Sequence, residues 1–268
     1  MSNLAERTAQ NLLQIRENKP LIHNITNFVV MSFTANVLLA AGASPVMAHA
    51  ENEVEEMASY AGSLVLNIGT LTDNWVASMV KAGKKATSLQ TPIVLDPVGA
   101  GATNLRTNAA KQIIKETGVT IIRGNSSEIL SLGSSDFSTK GVDATHGVDE
   151  AAATGGRLAK ELGSTLAITG PVDLITDGER EVRVENGHSL MPYVTGTGCS
   201  ATALIGAFAA VEKDPLAAAA GALAYFGLAG EKAAEKAEGP GSFVPALIDA
   251  LYTITVDDLI RGCRIIEA

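Results

Sequence analysis

Six short apolar runs rich in β-branched residues, each closed by Gly or small polar residues, alternate with helix-length stretches over the first two thirds of the chain. The runs are LIHNIT (21–26), SPVMA (44–48), SLVLNIG (63–69), PIVLDPVG (92–99), VTIIRGN (119–125) and STLAITG (164–170). Helices are expected between them, around 28–41, 51–61, 73–86, 104–117 and 149–162. Strands joined by helical crossovers of that length run parallel, and the helices cover both faces of the sheet. After residue 170 the pattern changes. VDLITDG and REVRVEN, joined near Gly178, predict a β-hairpin at the sheet's edge, and helices follow at about 197–211, 214–237, 243–253 and 256–266. A closed barrel of alternating strands and helices would keep alternating to its end. The pattern therefore specifies an α/β fold with an open, mostly parallel sheet and a helical C-terminal region. No linker, charge block or repeat divides residues 1–268, which read as a single domain.

Composition narrows the function. Charged residues are 18% of the 268, below the usual ~25%, and 46% are hydrophobic, so there is enough apolar surface to offset the entropy of ordering. The formal net charge is −9 with no basic cluster, which excludes a nucleic-acid binder, because neutralising phosphates needs grouped Lys and Arg. Two cysteines, Cys199 and Cys263, are too few for a disulfide scaffold and suit a reducing cytoplasm. Glu6 and Arg7 fall where a signal peptide needs its apolar core. Two long uncharged stretches, from Pro20 to Ala50 and from Asn186 to Val211, are broken by Ser, Thr, Asn, Gly and Pro. They read as buried core rather than membrane spans.

In open α/β sheets ligands bind beyond the carboxyl ends of the strands. Polar residues sit there after almost every run: HNITN, NIGT, DPVGAGAT, RGNSSE, TGP, and TGTGC before the last helices. The G-x-x-x-x-G-K-[ST] loop and the G-x-S-x-G elbow are both absent, and four His residues show no i, i+4 pairing for zinc. TGTGCSATALIGAFAA is a Gly-rich turn entering an apolar helix, where the unpaired amides of the first turn and the helix dipole make an anion site. A plain turn before a core helix is the alternative. Asp96, at a strand end, offers a carboxylate to Mg²⁺, although Asp-Pro also makes ordinary turns. Arg123 offers bidentate phosphate contacts. Glu128 either orients a metal-bound water or closes a capping box with Asn125, and the two roles are compatible.

His23-Asn24-Ile25-Thr26-Asn27, Gly42 to Met47, Asp96 to Thr103, Arg123-Gly124-Asn125 with Glu128, Ile168-Thr169-Gly170 and Thr195 to Cys199 stand in one order along nearly the whole chain. Together they resemble the hydroxyethylthiazole kinases of the ribokinase-like superfamily. The resemblance implies a ribokinase-like domain that phosphorylates 4-methyl-5-(2-hydroxyethyl)thiazole with ATP, using Mg²⁺, in thiamine salvage. It also implies a homotrimer with active sites between subunits. Carried over by position, Asn27, Met47 and Gly196 match thiazole-binding residues, and Arg123 and Thr169 match nucleotide-binding ones. Asp96 and Glu128 match the Mg²⁺-phosphate region, and the turn Gly196, Gly198, Cys199 matches the catalytic anion hole. The wider superfamily ends that turn in Asp, where this chain has Cys199. A free thiol titrates near ~8.5 and a helix start favours the thiolate, but an incoming triphosphate opposes this. Cys199 is therefore read as a packed neighbour of the substrate hydroxyl. Two other functions would use the same fold, a nucleotide-dependent lyase and a non-catalytic vitamin or nucleotide sensor. The thiazole positions speak against the first and the phosphate-site residues against the second.

Overall fold

The computed structural model describes residues 3–133 and 148–267. One sheet of nine strands runs through it in the order β2-β1-β3-β4-β5-β6-β7-β8-β9. Strands β1 (Leu21–Ile25), β2 (Ser44–Val46), β3 (Ser63–Asn67), β4 (Ile93–Asp96), β5 (Ile121–Asn125) and β6 (Thr165–Thr169) are all parallel. The other three strands, β7 (Asp173–Thr176), β8 (Glu181–Val184) and β9 (Ile265–Glu267), continue it antiparallel. Because β1 lies between β2 and β3, the strand order reverses there, which opens a crevice at the carboxyl ends of β1 and β3.

Side chains alternate across the sheet with a period of two. Val65, Val94 and Ile121 enter one core, and Leu64, Leu66, Ile93, Leu95 and Ile122 enter the other. The first core is covered by α1 (Leu4–Asn18), α2 (Met31–Ala41), α8 (Thr197–Ala209), α9 (Pro215–Ala234), α10 (Pro240–Thr253) and α11 (Val256–Gly262). Over the second lie α3 (Val54–Tyr60), α4 (Asp73–Ser88), α5 (Asn104–Glu116), α6 (Ser126–Leu130) and α7 (Val148–Leu162). The uncharged stretch after Asn186 is explained by α8, whose residues Ser200 to Ala209 are all buried. No helix among the described residues is long and apolar enough to cross a membrane.

Three expectations need correction. Helix α1 precedes the first strand, where the sequence reading began no element; Asn3 caps it, and Leu12 and Ile15 are fully buried. The helix expected at 28–41 starts at Met31, because residues 28–30 form a turn in which Val30 N–H bonds the Asn27 carbonyl. The helix expected at 256–266 stops at Gly262, and Ile265–Glu267 pair with β8. The hairpin is therefore not the edge of the sheet. Ile265 and Ile266 are β-branched and β8 offers an unpaired ladder, so the last helix gives way to a strand.

Candidate active site

The parallel register sets the ends of β1, β3, β4, β5 and β6 side by side, and one line of polar side chains crosses them. Asn27, just past β1, donates from Nδ2 to Asn67 Oδ1 at 2.8 Å. Asn67 ends β3 and donates to Oδ2 of Asp96, its register partner at the end of β4, also at 2.8 Å. Thr202 Oγ1, on α8, donates to the same carboxylate oxygen at 2.9 Å. Arg123 lies on the α8 face of β5, two residues after Ile121, with Nη1 3.9 Å from Asp96 Oδ2. Its Nη2 donates to Thr169 Oγ1, at the end of β6, at 2.7 Å. Arg123 Nε is buried with no hydrogen-bond partner among the described residues, a donor whose requirement the protein itself leaves unmet.

Helix α8 starts against this line. Gly196 precedes its first turn at φ +90°, a conformation that favours glycine, and no side chain caps the first-turn amides. At Gly198 a Cβ would lie 2.6 Å from Arg123 Nη1, so the missing side chain is what lets the guanidinium reach the helix start. Burial dominates the electrostatics here. Asp96 is 1% exposed, and desolvation pushes its pKa up to about 6 against the pull of Arg123 and Thr202. Burial, with the Asp96 charge second, pushes the Cys199 thiol up to about 11. The helix start was expected to favour the thiolate, but the structure gives the opposite direction. At neutral pH Cys199 is a thiol, held by a weak 3.5 Å bond from Asn27 Nδ2.

A cavity of about 730 Å³ opens beside the helix start, the size of a small-molecule site. Arg123, Asn125, Thr169, Thr197 and Gly198 line its polar side, and Ala201, Leu223, Phe226 and Met191 its apolar side. Such a cavity suits an aromatic base at one end and phosphates at the other. Glu128 takes Gly99 N–H on Oε1 at 2.8 Å and Asn125 N–H on Oε2 at 2.9 Å. The capping box is thus real, and it also ties the DPVGAG turn to β5. Met47 is half-buried just past β2, the outer strand of the sheet beside β1. The sequence reading missed Asn67, Thr202, Arg106 and Asp173. Arg106 bonds the carbonyls of Ile68, Gly69 and Val98, fixing the turns after β3 and β4. Asp173 lines the cavity, and burial pushes it up to about 6. Asn67 and Asp173 were visible as polar residues beside the strand-end motifs, but Thr202 looked like any small residue of a core helix.

A doubly wound sheet with this strand order carries its ligand cleft beyond the carboxyl ends of its strands, where this line of side chains lies. A pyridoxal kinase from Staphylococcus aureus, solved with pyridoxal, shares that fold at a TM-score of 0.62 and 17% identity, covering 93% of this chain and 98% of its own. The hydroxyethylthiazole kinase family model matches residues 12–257. The hydroxyethylthiazole kinase of Desulfotalea psychrophila is 65% identical, covering all of this chain and 98% of its own. That of Desulfosudis oleivorans is 56% identical over 98% and 97%. The solved hydroxyethylthiazole kinase protein from Pyrococcus horikoshii OT3 superposes at a TM-score of 0.90 with 48% identity, over 98% of this chain and 99% of its own. The chain belongs to the hydroxyethylthiazole kinase family.

Proposed function

We propose that this single-domain enzyme transfers the γ-phosphoryl group of ATP to the hydroxyl of 4-methyl-5-(2-hydroxyethyl)thiazole, a salvage step toward thiamine. The observation that carries this reading is the Arg123 guanidinium held between Asp96, Thr169 and the uncapped start of α8, at the polar end of the cavity. Phosphoryl transfer asks mainly for positioning and for stabilisation of charge on the moving group. Arg123 and the amides of residues 196–199 supply that charge stabilisation. Thr169 fixes the guanidinium, and the apolar wall of the cavity takes the base. Asn27 and Gly196 face the thiazole side with Met47, whose sulfur suits a heteroaromatic ring.

The acidic side chains fit magnesium. No group of three His, Cys, Asp or Glu side chains gathers among the described residues. Magnesium needs no such cage, since it takes one or two carboxylates with water and phosphate oxygens. Asp96 would hold it, because the hydrogen bonds from Asn67 and Thr202 occupy only Oδ2; Glu128, whose two oxygens each accept one backbone N–H, keeps lone pairs for a metal-bound water. When bound, the ion neutralises charge on the nucleotide phosphates. Incubation with ATP, Mg²⁺ and a panel of small alcohols, following ADP and product mass, tests the activity. ADP formed only with the thiazole alcohol supports the reading, and no phosphorylated product from any alcohol refutes it.

Cys199, being a thiol at neutral pH, is not the general base. Cys199→Ser is expected to keep substantial turnover. Cys199→Asp is expected to match or exceed the wild type, because the burial and the Asp96 charge that raise the thiol's pKa would lift a carboxylate from ~3.9 toward the range of a good base. A folded Cys199→Ser enzyme that binds both substrates yet does not turn over would make the thiol the base.

Assembly as a homotrimer with shared sites is part of the proposal. Phe28 and Val29, next to Asn27, are 61% and 64% exposed, which supports a second subunit covering this side of the cleft. Activity per subunit is then expected to fall on dilution, in step with the mass reported by light scattering. A fully active monomer would overturn the shared site.

A further inference from the structure

Asn67 joins the two halves of the cleft, and its amide can face only one way. Gly69 N–H, which can only donate, bonds Oδ1 at 3.0 Å, while the Asp96 carboxylate accepts from Nδ2. Asn27 is oriented in the same manner. Val29 N–H donates to its Oδ1 at 3.1 Å, which turns Nδ2 toward Asn67 Oδ1. All donors therefore point one way, from Asn27 through Asn67 to Asp96, in a line of side chains no more than 5% exposed. The chain has little slack, since a Cβ at Gly69 would lie 2.6 Å from Asn27 Nδ2. Asn27 Nδ2 also reaches Cys199 Sγ, a weak acceptor that an alcohol oxygen would displace.

We propose that Asn67 is a positioning residue that makes the binding of the two substrates cooperative. An alcohol oxygen taken by Asn27 fixes one end of the chain, and a phosphate taken beside Asp96 and Arg123 fixes the other. Hydrogen bonds that all run one way polarise one another, so a ligand at one end strengthens the bonds along the line and each binds more tightly with the other in place. The coupling is reciprocal and has the same size measured from either side. This rests on the reading that the alcohol lies at Asn27 and the nucleotide at Arg123.

Calorimetry with hydroxyethylthiazole, with and without saturating AMP-PCP and Mg²⁺, measures the coupling as a ratio of two Kd values. The reverse titration must give the same ratio. The wild type is expected to show roughly fivefold or more. Asn67→Leu, close in volume but neither donor nor acceptor, brings the ratio to about 1, and Asn67→Ala does the same should the Leu variant fail to fold. The ratio is taken within each variant, so a general loss of affinity does not move it. Thr202→Val removes the other donor to Asp96 without touching Asn27, and it weakens nucleotide binding while keeping the ratio. A ratio of 1 in the wild type, or an undiminished ratio in a folded Asn67 variant, overturns the coupling. A wild type that phosphorylates the thiazole yet shows no coupling refutes this inference alone; one that binds neither ligand refutes the reading beneath it as well.

Discussion

A Gly198→Ala enzyme is expected to fold like the wild type and to lose about 100-fold in kcat. The added Cβ would sit 2.6 Å from Arg123 Nη1 and 3.2 Å from Nη2, closer than atoms pack. Gly198 is helical, and alanine there favours the helix by up to ~1 kcal/mol. The clash is with the far end of a long side chain, so the guanidinium moves and the backbone stays. Moving it breaks the 2.7 Å bond to Thr169 and the approach to Asp96. A displacement of ~1 Å from productive geometry costs on the order of 100-fold. Steady-state kinetics with a thermal melt checks this. An unchanged kcat would mean that Arg123 does not act where the phosphoryl group moves.

Asp96→Asn is expected to divide stability from activity. The Asp96 carboxyl titrates near 3.8 in the unfolded chain and at about 6 in the folded one. Between those values the native state binds more protons, so the stability linked to this group is greatest at low pH and falls as pH rises through about 6. At 1.36 kcal/mol per decade, ionised Asp96 costs the fold about 3 kcal/mol at neutral pH. A neutral amide of the same shape removes that cost, so the variant should melt higher than the wild type above pH 7. Turnover should fall by about 10²–10³-fold, the usual effect of deleting one preorganised electrostatic partner. The acidic limb of the wild-type kcat/KM profile is expected near pH 6 for the same reason, and Asp173→Asn separates the contribution of Asp173, which titrates in the same range. A variant with wild-type turnover would remove Asp96 from the machinery.

Much of this was legible because parallel sheets write themselves clearly. LVLN and IVLD are continuous apolar runs that end in a polar residue, so Asn67 and Asp96 fall at strand ends by local pattern alone, and Arg123 follows the apolar pair Ile121-Ile122 within β5. What the residues mean to one another was not legible, because it depends on register. Asn67 pairs with Asp96 only through the β3–β4 ladder, and Thr202 reaches Asp96 across 106 positions of sequence. Cys199 shows the limit most plainly. Its place at a helix start argues for a lowered pKa, and only the packed structure reveals the burial and the neighbouring carboxylate that raise it. The boundary of α11 failed for a related reason. Whether 263–266 continue a helix depends on an open sheet edge far back in the chain, not on their own propensity.

That edge has a consequence for how the molecule is made. Strand β8 emerges from the ribosome before α8 to α11, and its partner β9 emerges only after them. Until then Val182 and Val184, fully or nearly buried in the finished sheet, belong to an unpaired ladder that a second nascent chain could join. Alterations near residues 265–267 would therefore show themselves first as poor recovery of soluble enzyme during synthesis, while the molecules that do mature keep their catalytic constants.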